Sequence, residues 1–199
     1  MNNKKEIIEF FDKNSYQWDK REKRKTHIII KKIINSLKLK KFINVLDVGC
    51  GTGILYPYLK NKFKNYTGID ISPKMIKAAL KKYPKANFIN KDFYKLKTRK
   101  KLDLIIVFNS FPHFTERKKF FKKALSLLEN DGILIIAHSF KLEKINKIHC
   151  SSSNKEIRRH LITAKEISNL YNNFGFKKIK IKNNPYFIAQ GTKWNFYAT

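Results

Sequence analysis

Val45-Leu46-Asp47-Val48-Gly49-Cys50-Gly51-Thr52-Gly53 is the stretch on which the fold turns. Together with Phe42-Ile43-Asn44 before it, the run is short, rich in β-branched residues and ends in a glycine cluster. It reads as a buried strand over 42–48 that feeds a tight turn, with a helix predicted from about Ile54 to Phe63. Glycines 49, 51 and 53 remove side chains where a backbone must approach a ligand at a helix amino terminus.

The unit repeats downstream. A second strand is predicted over Tyr66–Ile69, and a helix over Pro73–Tyr83 with Ser72 as N-cap and Pro73 at its first position. A third strand follows at Ala86–Ile89. Leu102–Phe108 reads as a strand, Glu116–Leu128 as a helix, and Gly132–Ser139 as a strand after the turn Asn130-Asp131-Gly132. Five strands alternating with helices predict an α/β fold with a parallel sheet covered on both faces. Beyond them, 140–162 is polar with no clear strand, 163–174 reads as helical, and Gly175 stands where a helix stops. Lys177–Lys182 alternates with period two and 185–190 follows a tight Asn-Asn-Pro connection, so an antiparallel finish is expected. Upstream, Ile7, Ile8, Phe10 and Phe11 have helical spacing. So do Ile29, Ile30, Ile33, Ile34 and Leu37, which form one broad apolar face.

The glycine spacing separates two ligand classes. A dinucleotide fingerprint needs glycine at the sixth place, but counting from Gly49 that place holds Ile54. GxGxG is present instead, with Asp47 two residues upstream. A carboxylate there repels a pyrophosphate and suits a ligand that carries cationic groups. After the second strand, Asp70 in Gly68-Ile69-Asp70-Ile71-Ser72 stands where an acid reaches a ribose.

With these residues in place, the chain resembles the class I S-adenosylmethionine-dependent methyltransferases over nearly its whole length. VLDVGCGTG is similar to their first motif, YTGIDIS to the second and ANFINKDF to the third. The resemblance implies a Rossmann-like, mostly parallel seven-stranded sheet of order 3-2-1-4-5-7-6 with an antiparallel last strand, and S-adenosyl-L-methionine as cofactor. It also implies roles for single residues. Asp70 would hold the ribose hydroxyls and Ile71 would lie against the adenine. Asp92 and Phe93 would meet the adenine amino group and face, while Asp47 and Gly49 would border the methionine part. Asn109 and Ser110 would face the methyl group, and Tyr16 and Trp18 would cover the cleft. The expected layout is one methyltransferase domain over 1–199. Residues 1–40 form a helical lid, 41–139 the cofactor core, 140–162 a segment that folds over the substrate, and 163–199 a closing helix and strands.

The fold does not choose the acceptor. Asn109-Ser110-Phe111-Pro112-His113-Phe114 lacks the Asn/Asp-Pro-Pro-Tyr/Phe pattern of enzymes that methylate base amines, and no Pro-Cys nucleophile is present. The segments FFDKNSYQWDK, FNSFPHF and AHSFKLEKINKIH are similar to those of small bacterial methyltransferase-domain proteins. His113 and His138 fall at the carboxyl ends of adjacent predicted strands, where open α/β sheets bind ligands, and His149 falls on the following segment. One of the three is expected to act as general base on an acceptor hydroxyl, thiol or amine. Each could equally be a hydrogen-bonded pocket residue. No second histidine stands at i+3 or i+4 from any of the three, and the one carboxylate at that spacing is Glu116 beside His113, so no metal site is assigned.

The composition sets the outer limits. The 199 residues carry 42% hydrophobic residues and fit one folded domain, despite a net charge of +29 from 44 basic and 15 acidic residues. Of the basic residues, 38 are Lys and 6 are Arg, which suits a compositional bias better than a nucleic-acid reader built on bidentate arginine. Cys50 and Cys150 make neither a disulfide framework nor CxxC spacing, and the charged amino terminus predicts no signal peptide. The expectation is a cytoplasmic enzyme with a small-molecule acceptor, no membrane partner and weak RNA attraction from its charge. An RNA-modifying methyltransferase and a non-catalytic binder of the same cofactor are the alternatives.

Overall fold

In the computed structural model, residues 2–21, 24–37, 44–150 and 163–194 are described. Among them seven strands form one sheet in the order β3-β2-β1-β4-β5-β7-β6. The strands are β1 (Asn44–Val48), β2 (Asn65–Asp70), β3 (Phe88–Asn90), β4 (Leu102–Phe108), β5 (Leu128–His138), β6 (Phe176–Asn183) and β7 (Phe187–Lys193). The order is the one implied by the sequence resemblance, with β7 antiparallel to both β5 and β6. The chain divides into two compact units, Met1–Leu96 and Lys97–Thr199.

In the first unit, β1 and β2 run parallel with Asp47 opposite Gly68, and β2 and β3 run parallel with Asp70 opposite Asn90. The helices are α1 (Asn2–Asn14), α2 (Trp18–Arg21), α3 (Arg24–Ser36), α4 (Tyr56–Leu59) and α5 (Pro73–Lys82). The apolar face expected on α3 is buried through Ile29, Ile30, Ile33 and Ile34. Helix α5 starts as its sequence predicts. Ser72 Oγ accepts from Met75 N at 3.1 Å, Pro73 needs no partner for an N–H it lacks, and Lys81 and Lys82 occupy the last turn where the helix dipole favours cations.

The helix expected over 54–63 is only one turn, Tyr56–Leu59. On either side the chain closes in tighter turns, with Tyr56 N bonded to Gly53 O, Tyr58 N to Leu55 O and Lys62 N to Leu59 O. The positive-φ glycine turn runs straight into this stretch, and Pro57 removes one donor from the nascent ladder. Asn61, which follows within Lys60-Asn61-Lys62, is a weak helix former.

In the second unit, the central residues Leu104–Val107 of β4 and Leu134–Ala137 of β5 are buried. Helices α6 (Arg117–Leu127), α7 (Leu142–Cys150) and α8 (Ala164–Asn173) follow β4 and β5. Helix α7 supplies structure inside the stretch with no strand signal; the remainder of the expected 140–162 segment, 151–162, lies outside the described residues, as does 195–199 of the tail. The turn expected at 130–132 is absorbed into β5 as an irregularity, with Leu102 paired to Leu128 and Leu104 to Ile133. Phe121, Tyr171 and Phe176 pack edge to face at centroid distances of 4.9–6.0 Å. The Tyr171 hydroxyl donates to the carbonyls of Leu134 and Ala189 and so ties α8 to β5 and β7. Thr163 caps α8 through Glu166 N, and the Glu166 side chain pairs with Arg117 of α6.

Among the described residues strand β6 lies at the edge of the sheet. Lys177, Lys178, Lys180 and Lys182 are exposed or nearly so, and its register with β7 shifts between Lys177 and Lys180, where Lys178 takes φ 50°.

Candidate functional site

The first unit holds the glycine turn. Gly49, Gly51 and Gly53 adopt φ of 70°, 54° and 83°, a region that side chains rarely tolerate. The turn is pinned from β2: Gly49 N and Cys50 N both donate to Ile69 O, at 2.8 and 3.0 Å. Gly53 has a second reason to be glycine, since an added Cβ would lie 2.7 Å from the Phe88 ring. At Gly51 the situation is reversed, because an added Cβ would meet nothing within 4 Å. Open space therefore faces the turn at Gly51.

Asp70 closes this turn. Its Oδ2 accepts from Gly51 N at 2.9 Å and its Oδ1 from Ser72 N at 2.9 Å, which joins the ends of β1 and β2 through one carboxylate. Burial pushes this carboxyl above the usual range, and the backbone N–H groups of Ser72, Gly51 and Ile71 pull it back. A carboxylate has about four acceptor directions, so one remains beyond these backbone donors. Ile71, next in the chain, is half-buried.

Asp47 is 1% exposed, and its Oδ2 accepts from the Tyr66 hydroxyl at 2.7 Å. Burial pushes its carboxyl up to about 7; the Tyr66 hydrogen bond lowers it and the Asp70 charge raises it. The thiol of Cys50 and the phenol of Tyr66 are also pushed up, first by burial and then by the Asp47 charge.

Asp92 caps a short 3-10 turn, accepting from Tyr94 N at 3.0 Å, and pairs with Lys4 Nζ at 2.7 Å. Phe93 is buried. Trp18 is half-buried edge-on to Phe11, whereas Tyr16 is 74% exposed with its hydroxyl accepting from Gln17.

Two carboxylates that the sequence reading passed over sit against these loops. Asp12 of α1 accepts from Ser72 Oγ at 2.5 Å and Lys74 N at 3.1 Å. Asp19 of α2 accepts from Thr52 Oγ1 at 2.6 Å and pairs with Lys82 at 2.6 Å. With Lys4 on Asp92, these contacts strap the amino-terminal helices to the turn after β1, the start of α5 and the loop after β3. No local pattern marks an acid on an amphipathic helix as the partner of a residue 33 or 60 positions away.

The second unit presents the ends of β4 and β5. Asn109 is a non-glycine residue at φ 54°, held by Ser139 N donating to its Oδ1 at 2.8 Å and by its own Nδ2 donating to Ser139 Oγ at 3.2 Å. Ser139 is buried and is the other residue that motif reading missed. Ser110 is half-buried and precedes the short turn Phe111–His113, in which His113 is half-buried. His138 ends β5, 3% exposed and beside the Phe187 ring at 6.2 Å. His149 lies on α7, and its side chain is outside the described residues. Among the described residues no group of three or more His, Cys, Asp or Glu is arranged to hold a metal ion. Among them, too, no helix is long and apolar enough to cross a membrane.

Against known proteins, the family described as "Methyltransferase domain" matches residues 46–136. The malonyl-[acyl-carrier protein] O-methyltransferase 1 of Ilyobacter polytropus is 32% identical over 134 residues, which are 65% of this chain and 50% of that protein. The ubiquinone/menaquinone biosynthesis C-methyltransferase of Campylobacter jejuni is 29% identical over 119 residues, 56% of this chain and 51% of that protein. The chain thus spans about half the length of the curated relatives it matches. Among solved structures, the magnesium protoporphyrin IX methyltransferase of Synechocystis with bound SAH superposes with a TM-score of 0.71 at 18% identity. That match covers 96% of this chain and 99% of that one, and it establishes a shared fold.

Proposed function

We propose that this chain, which belongs to the class I S-adenosylmethionine-dependent methyltransferases, binds S-adenosyl-L-methionine at the glycine turn of its first unit and methylates a nucleophile on a small-molecule acceptor. The observation that carries this reading is the Asp70 carboxylate locked onto Gly51 N beside the open space over Gly51. That pairing offers ribose acceptors and close backbone approach at one point. The buried Asp47, which forms no ion pair among the described residues, suits a cationic ligand.

The cofactor supplies an activated methyl group on a cationic sulfur. Held by the glycine turn and Asp70, it would offer that methyl group to a lone pair on the acceptor. The protein's task is then positioning, exclusion of water and, where the acceptor is protonated, removal of one proton. We assign Asp47, Gly49, Gly51, Gly53, Asp70, Ile71, Asp92 and Phe93 to cofactor binding, Asn109 and Ser110 to the methyl end, and Tyr16 and Trp18 to the cover. His113, His138 and His149 are the candidate bases. Residues 1–40 serve as lid, 41–139 as cofactor core, 140–162 as substrate cover and 163–199 as the closing layer of one methyltransferase domain acting in the cytoplasm. The names of the relatives, a malonyl-[acyl-carrier protein] O-methyltransferase and a ubiquinone/menaquinone biosynthesis C-methyltransferase, favour a small organic acceptor.

The test is incubation with labelled methyl donor and cell extract separated into small-molecule, protein and RNA fractions. Label in the small-molecule fraction supports the assignment. Label in RNA replaces it with the reading that the net charge of +29 favours. Cofactor binding without transfer to any fraction identifies a binding protein.

A further inference from the structure

Burial and a neighbouring carboxylate disfavour the charge of Asp47, and one hydroxyl favours it. From β2, Tyr66 donates its hydroxyl to Oδ2 at 2.7 Å and Asp70 adds a like charge; from the turn, Cys50 adds a buried thiol. Behind Tyr66 stand Tyr56 of α4, at 5.1 Å between centroids, and Phe88 of β3, at 5.8 Å. No lysine or arginine answers the carboxylate among the described residues, in a chain with 44 of them. A buried carboxylate with one hydrogen bond and no cation is costly to ionise.

We infer that Tyr66 is a positioning residue for cofactor binding: its hydroxyl holds the Asp47 carboxylate ready, the ligand's own cationic groups complete the charge balance, and binding therefore expels a proton. This rests on the assignment of S-adenosylmethionine to the glycine turn. The proton leaves the Asp47 carboxyl for solvent, and the hydrogen bond from Tyr66 fixes how much of that carboxyl is ionised before the ligand arrives. Loss of the hydroxyl shifts the balance towards the neutral acid without emptying the space its ring fills.

The sign follows from the raised carboxyl, pushed up to about 7 by burial. Below that pH the free protein holds Asp47 neutral and the ligand must displace the proton; above it the site is already charged. Affinity thus rises with pH and then levels off.

The experiment is titration calorimetry of S-adenosylmethionine from pH 6 to 8.5 on the wild type, Tyr66→Phe and Asp47→Asn, with wild-type titrations repeated at pH 7 in buffers of different ionisation enthalpy. The expected wild-type affinity gain between pH 6 and 7.5 is about five- to tenfold, a range below the ligand α-amino pKa of about 8, with about half a proton released at pH 7. Tyr66→Phe is expected to bind roughly fivefold more weakly at pH 7, and the gap should widen towards pH 6 and close towards pH 8.5. The ligand's own titration cancels in that ratio. Asp47→Asn should bind with no pH slope below pH 7.5.

A gap between wild type and Tyr66→Phe that is constant across pH makes Tyr66 a packing residue and overturns the inference. So does an Asp47→Asn variant that keeps the slope. Wild-type binding that is flat in pH with no proton released overturns it without reference to any variant, while leaving the cofactor assignment intact. No binding at any pH removes the cofactor assignment and the inference together.

Discussion

The end of β1 and the end of β4 each bend the chain through a positive φ, yet they are built in opposite ways. At Gly49–Gly53 the bend is made by removing side chains, and a carboxylate from the next strand holds the bare backbone. At Asn109 the same backbone region is occupied by a residue with a side chain, which stays there because its amide is bonded to the backbone and the hydroxyl of Ser139 at the end of β5. Asn reaches this region at lower cost than most residues because its amide bonds locally. A surface made of backbone accepts any ligand of the right shape and is reused unchanged. One made of side chains can be re-specified by a single substitution.

The most damaging way to break this comparison is Gly53→Ala. The new methyl collides with Phe88 and the residue keeps φ 83°, so a stability loss of about 2–4 kcal/mol is expected in chemical denaturation. Gly51→Ala sharpens the contrast, because its Cβ enters open space: folding should lose only about 1–2 kcal/mol of conformational strain while cofactor affinity collapses. A Gly51→Ala protein with full affinity would place the ligand elsewhere.

Next in size, Asp70→Ala should weaken S-adenosylmethionine binding by about 1.5–3 kcal/mol in calorimetry, since hydrogen bonds to a charged acceptor are lost. Unchanged affinity would remove Asp70 from the ribose. At the β4 end, Asn109→Gly keeps the backbone angle but drops both contacts with Ser139, an expected cost of about 1 kcal/mol in melting experiments. Asn109→Ala adds the left-handed strain and should cost about 1 kcal/mol more. Equal losses would show that the hydrogen bonds, and not the angle, hold this end. The smallest effect is expected for Asp19→Asn, whose contact with Lys82 is about half exposed. Stability should change by less than about 1 kcal/mol, and stopped-flow should show faster cofactor release if the amino-terminal strap covers the site.

The sequence made the first of these two ends legible and left the second obscure. Local chemistry announces itself locally. The glycine turn, the Ser72 cap and the seven-strand order all follow from spacing or resemblance within short windows, and β4 begins and ends where its apolar run does. The helix after the turn came out shorter than its apolar pattern because i→i+3 closure and Pro57 compete with the helical ladder. Asp12, Asp19 and Ser139 were invisible for a different reason, since each matters only through a partner 30 to 60 positions away. Tyr66 reads in the sequence only as the start of a strand, because its role lies in a hydroxyl that bonds Asp47 on the neighbouring strand.

The lysine-studded edge of β6 gives the charge of the chain another meaning. A strand edge left unpaired is a template on which a second copy could anneal, and β6, outermost among the described residues, sets against that danger four cations and the positive φ of Lys178. Two such edges brought together would stack positive charge on positive charge and mismatch in register. For a chain carrying +29, repulsion between copies protects against aggregation, in proportion to how crowded the molecules become.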